Sequence, residues 1–151
     1  MGVSIDFKLG EEQLNAIDKL KNFLNSKETA FLVSGSAGTG KTTIMKVFID
    51  YLRSINKQYC LCAPTHKATL VLKNATGEDS ITLHKLLSLT PNIEILELDL
   101  NSLQFVTKGK KNGIPNHGVV ICDESSMISD GLFHLLCERC SNAHTKIVFL
   151  G

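Results

Sequence analysis

The run Val33-Ser34-Gly35-Ser36-Ala37-Gly38-Thr39-Gly40-Lys41-Thr42-Thr43 leaves this chain few folds to choose from. Ahead of it, Ala30-Phe31-Leu32-Val33 is an apolar stretch of the length a short buried strand carries. Behind it, Ile44, Met45, Phe48, Ile49 and Leu52 are apolar at helical spacing. Strand, glycine-rich turn and helix, in that order, are the setting in which G-x-x-x-x-G-K-[ST] forms a phosphate-binding loop. Gly35, Gly38 and Gly40 let the backbone turn tightly and aim its N–H groups at phosphate oxygens. The helix that starts there adds its own free N–H groups and the positive end of its dipole. The whole segment, with Ser36, Ala37, Thr39 and Thr43, is the expected phosphate cradle. Lys41 brings a mobile positive charge to the β- and γ-phosphates, and the Thr42 hydroxyl is placed to ligate Mg²⁺. The expected ligand is a nucleoside triphosphate.

Composition narrows the setting. The chain has 151 residues, 43% of them hydrophobic, enough for one domain with its own core. A formal charge of +1 and a pI near 7.7 leave nucleic-acid binding open, so any basic surface must be local. No apolar run approaches the ~18–20 residues of a membrane span. The segment Met1-Gly2-Val3-Ser4-Ile5-Asp6 has neither the charged nor the apolar region of a signal peptide, and it does not fit a myristoylation signal. Five cysteines, an odd number, then point to reduced intracellular thiols.

Taken in order, Glu11 to Ser26 is expected to be a helix with Leu14, Ile17, Leu20 and Leu24 along one stripe. Gln13 precedes that stripe and, on its own, reads as a surface glutamine. A second strand is expected at Gln58–Ala63, stopped by Pro64. The polar turn Pro64-Thr65-His66-Lys67-Ala68 opens a short helix that carries Leu70, Val71 and Leu72 and closes at Gly77. Another short helix is expected over 80–87, with Ser80 as its N-cap. From Thr90 to His117 the pattern alternates, with one slip at Ile95-Leu96, as in a bulged β-hairpin. Lys108-Gly109-Lys110-Lys111-Asn112-Gly113 is basic and expected to be exposed.

Val119-Val120-Ile121-Cys122 is a continuous apolar run, as a buried parallel strand requires, and it ends in Asp123-Glu124. Two carboxylates at the end of a buried strand are costly unless they meet a cation. With the phosphate loop upstream, Asp123 is expected to hold Mg²⁺ and Glu124 to activate an attacking water. The helix at 131–140 takes Ser129 or Asp130 as its cap. Lys146–Leu150 is the last expected strand. The alternation of strands and helices implies a parallel α/β sheet, helices on both faces, and a site at the carboxyl ends of the strands.

Together these segments resemble superfamily 1B DNA helicases of the Dda and RecD-like branch. Gly35–Thr42 looks like motif I of that family, and Cys62-Ala63-Pro64-Thr65-His66-Lys67-Ala68 looks like motif Ia. Thr82-Leu83-His84 is similar to the short single-strand-binding motif that follows. Cys122-Asp123-Glu124-Ser125-Ser126-Met127 resembles motif II, and Phe149-Leu150-Gly151 resembles the start of motif III. Glu12-Gln13 is similar to the Q motif, whose glutamine reads adenine. The resemblance implies a RecA-like P-loop NTPase domain that uses ATP and Mg²⁺, with Lys41, Asp123 and Glu124 in catalysis and Gln13 at the base. It also implies contact with single-stranded DNA through Pro64, Thr65, His66, Lys67, Thr82, His84 and Lys85, residue types suited to phosphates and stacked bases.

Residues 1–88 and 118–151 would form the motor domain, and 89–117 an inserted pin-like hairpin. Phe105, near the hairpin's turn, is either a core anchor or a base-facing wedge. The implied protein is cytoplasmic and associated with the nucleoid or replication. Such helicases carry a second RecA-like domain with an arginine on the γ-phosphate, whereas this sequence stops inside motif III. Neither Arg53 nor Arg139 is placed to substitute, so residues 1–151 alone are expected to bind ATP and hardly hydrolyse it. The alternative is a binding module without turnover. A small-molecule kinase would need arginines in a glycine-rich lid, which are not found here. Cys60-x-Cys62 and Cys137-x-x-Cys140 offer four thiolates on paper, but structural zinc pairs sit on turns, so buried thiols are expected.

Overall fold

The computed structural model describes residues 10–34, 40–87 and 113–151. Four expected strands and one that was not expected, β3, form one all-parallel sheet: β1 (Ala30–Val33), β2 (Tyr59–Ala63), β3 (Ser80–Thr82), β4 (Val119–Cys122) and β5 (Lys146–Leu150), in the order β1-β5-β4-β2-β3. Helices α1 (Glu11–Leu24), α2 (Lys41–Ser54), α3 (His66–Thr76), α4 (Leu83–Leu86) and α5 (Asp130–Asn142) cover it.

Side chains alternate along each strand, so the sheet builds a core on each face. Val119, Ile121, Val148 and Leu150 meet α1, α2 and α3 through Ile17, Leu20, Phe48, Leu52 and Leu72. Val120, Cys122, Ile147 and Phe149 face the other way, onto α4 and α5. β4 is buried at every position because both of its faces are covered, which is why it reads as an unbroken apolar run. The β1-to-β2 and β4-to-β5 crossovers run in opposite directions across the sheet, and their helices α2 and α5 lie on opposite faces. A common crossover hand requires that arrangement.

The apolar stripe expected of α2 is buried in full. On α1 the buried stripe is Ile17, Leu20 and Phe23, with Leu24 partly buried, while Leu14 is exposed. On α3 only Leu72 of the expected apolar trio is buried. The expected helix over 80–87 needs correction. Ser80–Thr82 is strand β3, paired with Leu61–Ala63, and the helix starts at Leu83. The cap is Thr82, whose hydroxyl oxygen accepts the Lys85 N–H, whereas Ser80 donates its hydroxyl to the Thr69 carbonyl. Extended Ile81 and Thr82 are β-branched and find an open strand edge, which outweighs a four-residue gain in helix. Ser129 caps α5 as expected. The hairpin reading falls mostly on residues outside those described, as do Phe105 and Gly35–Thr39.

All five cysteines are reduced, and Cys62, Cys122 and Cys140 lie in the core between the sheet and α5. Among the described residues, no group of three or more His, Cys, Asp or Glu is arranged to hold a metal ion. Burial pushes the Cys60 and Cys140 thiols up from 9.0 to about 12, with neighbouring thiols adding to the shift. These thiols keep their protons in the folded state, so their contribution to stability is intact below pH 9.0 and is lost as pH rises through about 12. In the native protein, a disulfide reagent at pH 8 is expected to label Cys62, Cys122 and Cys140 on the order of 100-fold more slowly than in denaturant. Fast labelling of all five would contradict this packing.

Candidate functional site

Because the sheet is wholly parallel, every strand delivers its carboxyl end to the same rim. Neighbouring strands stand ~4.8 Å apart, so five of them make a row roughly 20 Å long. From β1 the chain leads towards Gly40 and the start of α2. Next along the rim comes Gly151 at the end of β5, then Asp123 and Glu124 after β4. The turn 64–67 after β2 follows, and Thr82–Lys85 after β3 closes the row. The sequence-predicted residues that are described therefore share one edge of the molecule.

At the β1 end, Gly40 caps α2 with φ +83°, a left-handed conformation that favours glycine. A Cβ on Gly40 would collide with the amide nitrogen of Gln13. Gln13 is held by its own helix: its Oε1 accepts the Gly10 N–H at 3.0 Å, closing the first turn of α1. The side-chain amide thus sits against the last glycine of the loop. Lys41 is the first residue of α2, half-buried, and its Nζ donates to the Gly151 carbonyl at 2.6 Å. Thr42 is exposed beside it.

Across β5, the Asp123 N–H donates to the Cys62 carbonyl at 3.0 Å, extending the β4–β2 pairing by one residue. Its Oδ1 accepts the Glu124 N–H at 2.9 Å. Glu124 has φ +53°, an uncommon conformation for a glutamate, and leads into a 3₁₀ turn at Ser125–Met127. That turn leaves the Glu124 side chain exposed at the rim. The pair divides accordingly: Asp123 is half-buried at the strand end, and Glu124 faces solvent beyond it.

Among the strand-end residues after β2 and β3, Ala63 and Thr82 are register partners, so the two turns are neighbours. The Thr65 hydroxyl oxygen accepts the Ala68 N–H at 3.1 Å and caps α3. Thr82 does the same for α4 and is buried. Both hydroxyls hold the turns in shape, a role the sequence reading did not give them. His66, Lys67 and Lys85 are exposed, and Pro64 and His84 are half-buried. The Thr69 hydroxyl donates to the His66 carbonyl at 2.6 Å, tying the turn to α3. One juxtaposition escaped the sequence reading, although both of its residues lie in motifs named there. Gly151 and Ser125 meet at the centre of the rim, and no local pattern announces a contact between segments so far apart.

A parallel α/β sheet covered on both faces, a glycine-capped helix carrying Lys41 and a carboxylate pair ending a buried strand define a RecA-like P-loop nucleotide-binding domain. The chain belongs to the AAA domain family, whose profile matches residues 8–151. The ATP-dependent DNA helicase dda of Enterobacteria phage T4 is 34% identical over 129 residues, which cover 85% of this chain and 28% of that protein. The ATP-dependent RecD2 DNA helicase of Deinococcus radiodurans is 36% identical over 83 residues, 55% of this chain and 11% of the relative. The ATP-dependent DNA helicase Pif1 of a Psychrobacter species is 32% identical over 117 residues, 78% of this chain and 16% of the relative. The resemblance to superfamily 1B helicases drawn from the motifs is borne out. The chain spans less than a third of the length of each of these relatives. No helix among the described residues is long and apolar enough to cross a membrane.

Proposed function

We propose that this chain is the ATP-binding motor domain of a 5′→3′ DNA helicase, coupling ATP hydrolysis to movement along single-stranded DNA together with a second RecA-like domain. The observation that carries the reading is the order of the rim. β4, which ends in Asp123-Glu124, stands between the β5 end that holds Lys41 and the β2 end that carries the Pro64–Lys67 turn. The Asp123 N–H to Cys62 carbonyl bond links the acidic pair to the strand of that turn. A change at the nucleotide therefore has one strand to cross to reach a nucleic-acid contact.

In this reading Lys41 and the Gly35–Thr43 cradle bind the phosphates, and Gln13 reads the adenine. Thr42 and Asp123 would hold Mg²⁺; the donor set fits, a first-turn hydroxyl and a strand-end carboxylate, both oxygen ligands suited to a hard cation. The bound cation would neutralise charge that builds on the phosphates. Glu124 takes the proton of the attacking water. His66, Lys67, Lys85 and His84 face the strand, with Pro64, Thr65 and Thr82 shaping their turns. Residues 1–88 and 118–151 form the motor domain and 89–117 an insertion. The Gly113 N–H bonds the Leu86 carbonyl at 2.7 Å, so the described residues that flank the proposed insertion meet. Phe105 in that insertion is proposed to meet the strand. The protein would work in the cytoplasm, on the nucleoid.

Adding an oligodeoxynucleotide to ¹⁵N-labelled protein is expected to move the amide signals of residues 65–67 and 83–85, with affinity that falls as salt rises. Movement confined to the lysines at 108–111 would reduce the contact to non-specific charge and contradict the assignment of the two turns.

A further inference from the structure

One buried threonine joins the two turns after β2 and β3. Thr69 lies early in α3 and is 7% exposed. Its N–H donates to the Thr65 carbonyl at 3.0 Å, and its hydroxyl donates to the His66 carbonyl at 2.6 Å. Threonines in helices often bond the carbonyl three residues back, so these two contacts by themselves are local. The third contact is not. The Thr69 carbonyl accepts the Ser80 hydroxyl at 2.7 Å, from eleven residues further along the chain. Ser80 opens β3, a strand of three residues that ends at Thr82, the cap of α4 and the start of the turn with His84 and Lys85. Ser80 is the register partner of Leu61 and Thr82 that of Ala63, so β3 also pairs with the strand that leads into Pro64. The two turns are therefore fastened twice, by backbone pairing between their strands and by the relay from Ser80 through Thr69 to His66.

We propose that Thr69 and Ser80 are positioning residues of the single-strand contact: their hydroxyls hold the turn at 64–67 against the turn at 82–85, so that both meet one strand at a set spacing. The inference rests on the reading of these turns as the nucleic-acid contact and adds two residues that do not touch the strand. Thr69 is buried, so its hydroxyl cannot bond a nucleic acid, and any effect it has on strand binding passes through the turn. β3 is a short strand at the edge of the sheet, where backbone pairing opens most easily, and the Ser80–Thr69 bond adds a second fastening. Turns that must be ordered as the strand arrives lose affinity, and turns held beforehand avoid that loss. The effect is confined to one end of the rim, because β3 and β1 are the two outer strands and Lys41 stands at the β1 end.

Phosphate release by the intact protein, followed as a single-stranded oligodeoxynucleotide is titrated in, tests this. Thr69→Val keeps the shape of the side chain without its hydroxyl and is expected to raise the strand concentration for half-maximal stimulation about fivefold. Release at saturating strand and affinity for Mg·ATP are expected to stay as in the wild type, a split that a general loss of folding would not give. Thr69→Ser keeps the hydroxyl and should behave as wild type. Ser80→Ala is expected to act in the same direction as Thr69→Val. The two combined should bind the strand no more weakly than Thr69→Val alone, because both hydroxyls lie on one relay. Lys67→Ala removes a side chain read as touching the strand and serves as the control. If Lys67→Ala raises the half-maximal concentration while Thr69→Val and Ser80→Ala leave it unchanged, the inference is overturned and the reading of the turns stands. If none of the three changes it, both fall. Additive losses in the double variant, or a Thr69→Ser as weak as Thr69→Val, would also overturn the inference. Should Thr69→Val fail to fold, Ser80→Ala, at a half-buried position, decides the matter by the same titration.

Discussion

Lys41→Ala is expected to weaken Mg·ATP binding roughly 10- to 100-fold while leaving the fold in place. The loss is that of a charge-assisted contact to phosphate, about 1.5–3 kcal/mol. The fold survives because Lys41 contributes its ammonium and little packing. Burial of α2 rests on Ile44, Met45, Phe48, Ile49 and Leu52, whereas Lys41, at the first position of the helix, is only half-buried. The Gly151 carbonyl that loses its donor is exposed and turns to water. Calorimetric titration with Mg·ATP, beside a thermal melt of each protein, separates the two effects. Equal affinity for wild type and variant would show that the phosphates bind elsewhere.

Glu124→Gln should act on the other half of the chemistry. General-base catalysis contributes a factor of about 10²–10⁴, and glutamine keeps the shape of glutamate without its ability to take a proton. The turn should be undisturbed, because the bond that holds it runs from the Glu124 backbone N–H to Asp123 Oδ1 and does not involve the Glu124 side chain. Affinity for Mg·ATP is therefore expected to stay within about twofold, while turnover by the intact protein falls by two to four orders of magnitude. A variant that loses binding instead would make Glu124 a structural residue of the turn.

Parts of this architecture were written in short stretches of sequence. β4 announces itself because a strand covered on both faces must be apolar throughout, and α2 because its five core residues recur at helical spacing. Ser129 is legible as a cap for the same local reason. Ser80 misled because its Ser-Ile-Thr segment satisfies a helix start and an edge strand equally well. The choice fell to β2, whose open edge lies about twenty residues upstream. Thr65 and Thr82 looked like ligand contacts because a threonine that caps a helix and one that faces a nucleic acid are identical in sequence. Gln13 was singled out by resemblance, but its place against Gly40 depends on how α1 packs on α2. Least legible were the neighbours of Gly151. Its partners Val33, Lys41 and Ser125 come together only when β5 slots between β1 and β4, and strand order is a property of the whole sheet.

The central claim is that one rim carries both a nucleotide site and a single-strand contact, coupled through β4. Steady-state phosphate release by the intact protein, with and without a single-stranded oligodeoxynucleotide, tests it most directly. The account predicts slow release from Mg·ATP alone and a rise of at least about tenfold when the strand is added, lost in Lys41→Ala and in Glu124→Gln. Release that is unaffected by the strand at every concentration, from a protein that binds both ligands, would contradict it.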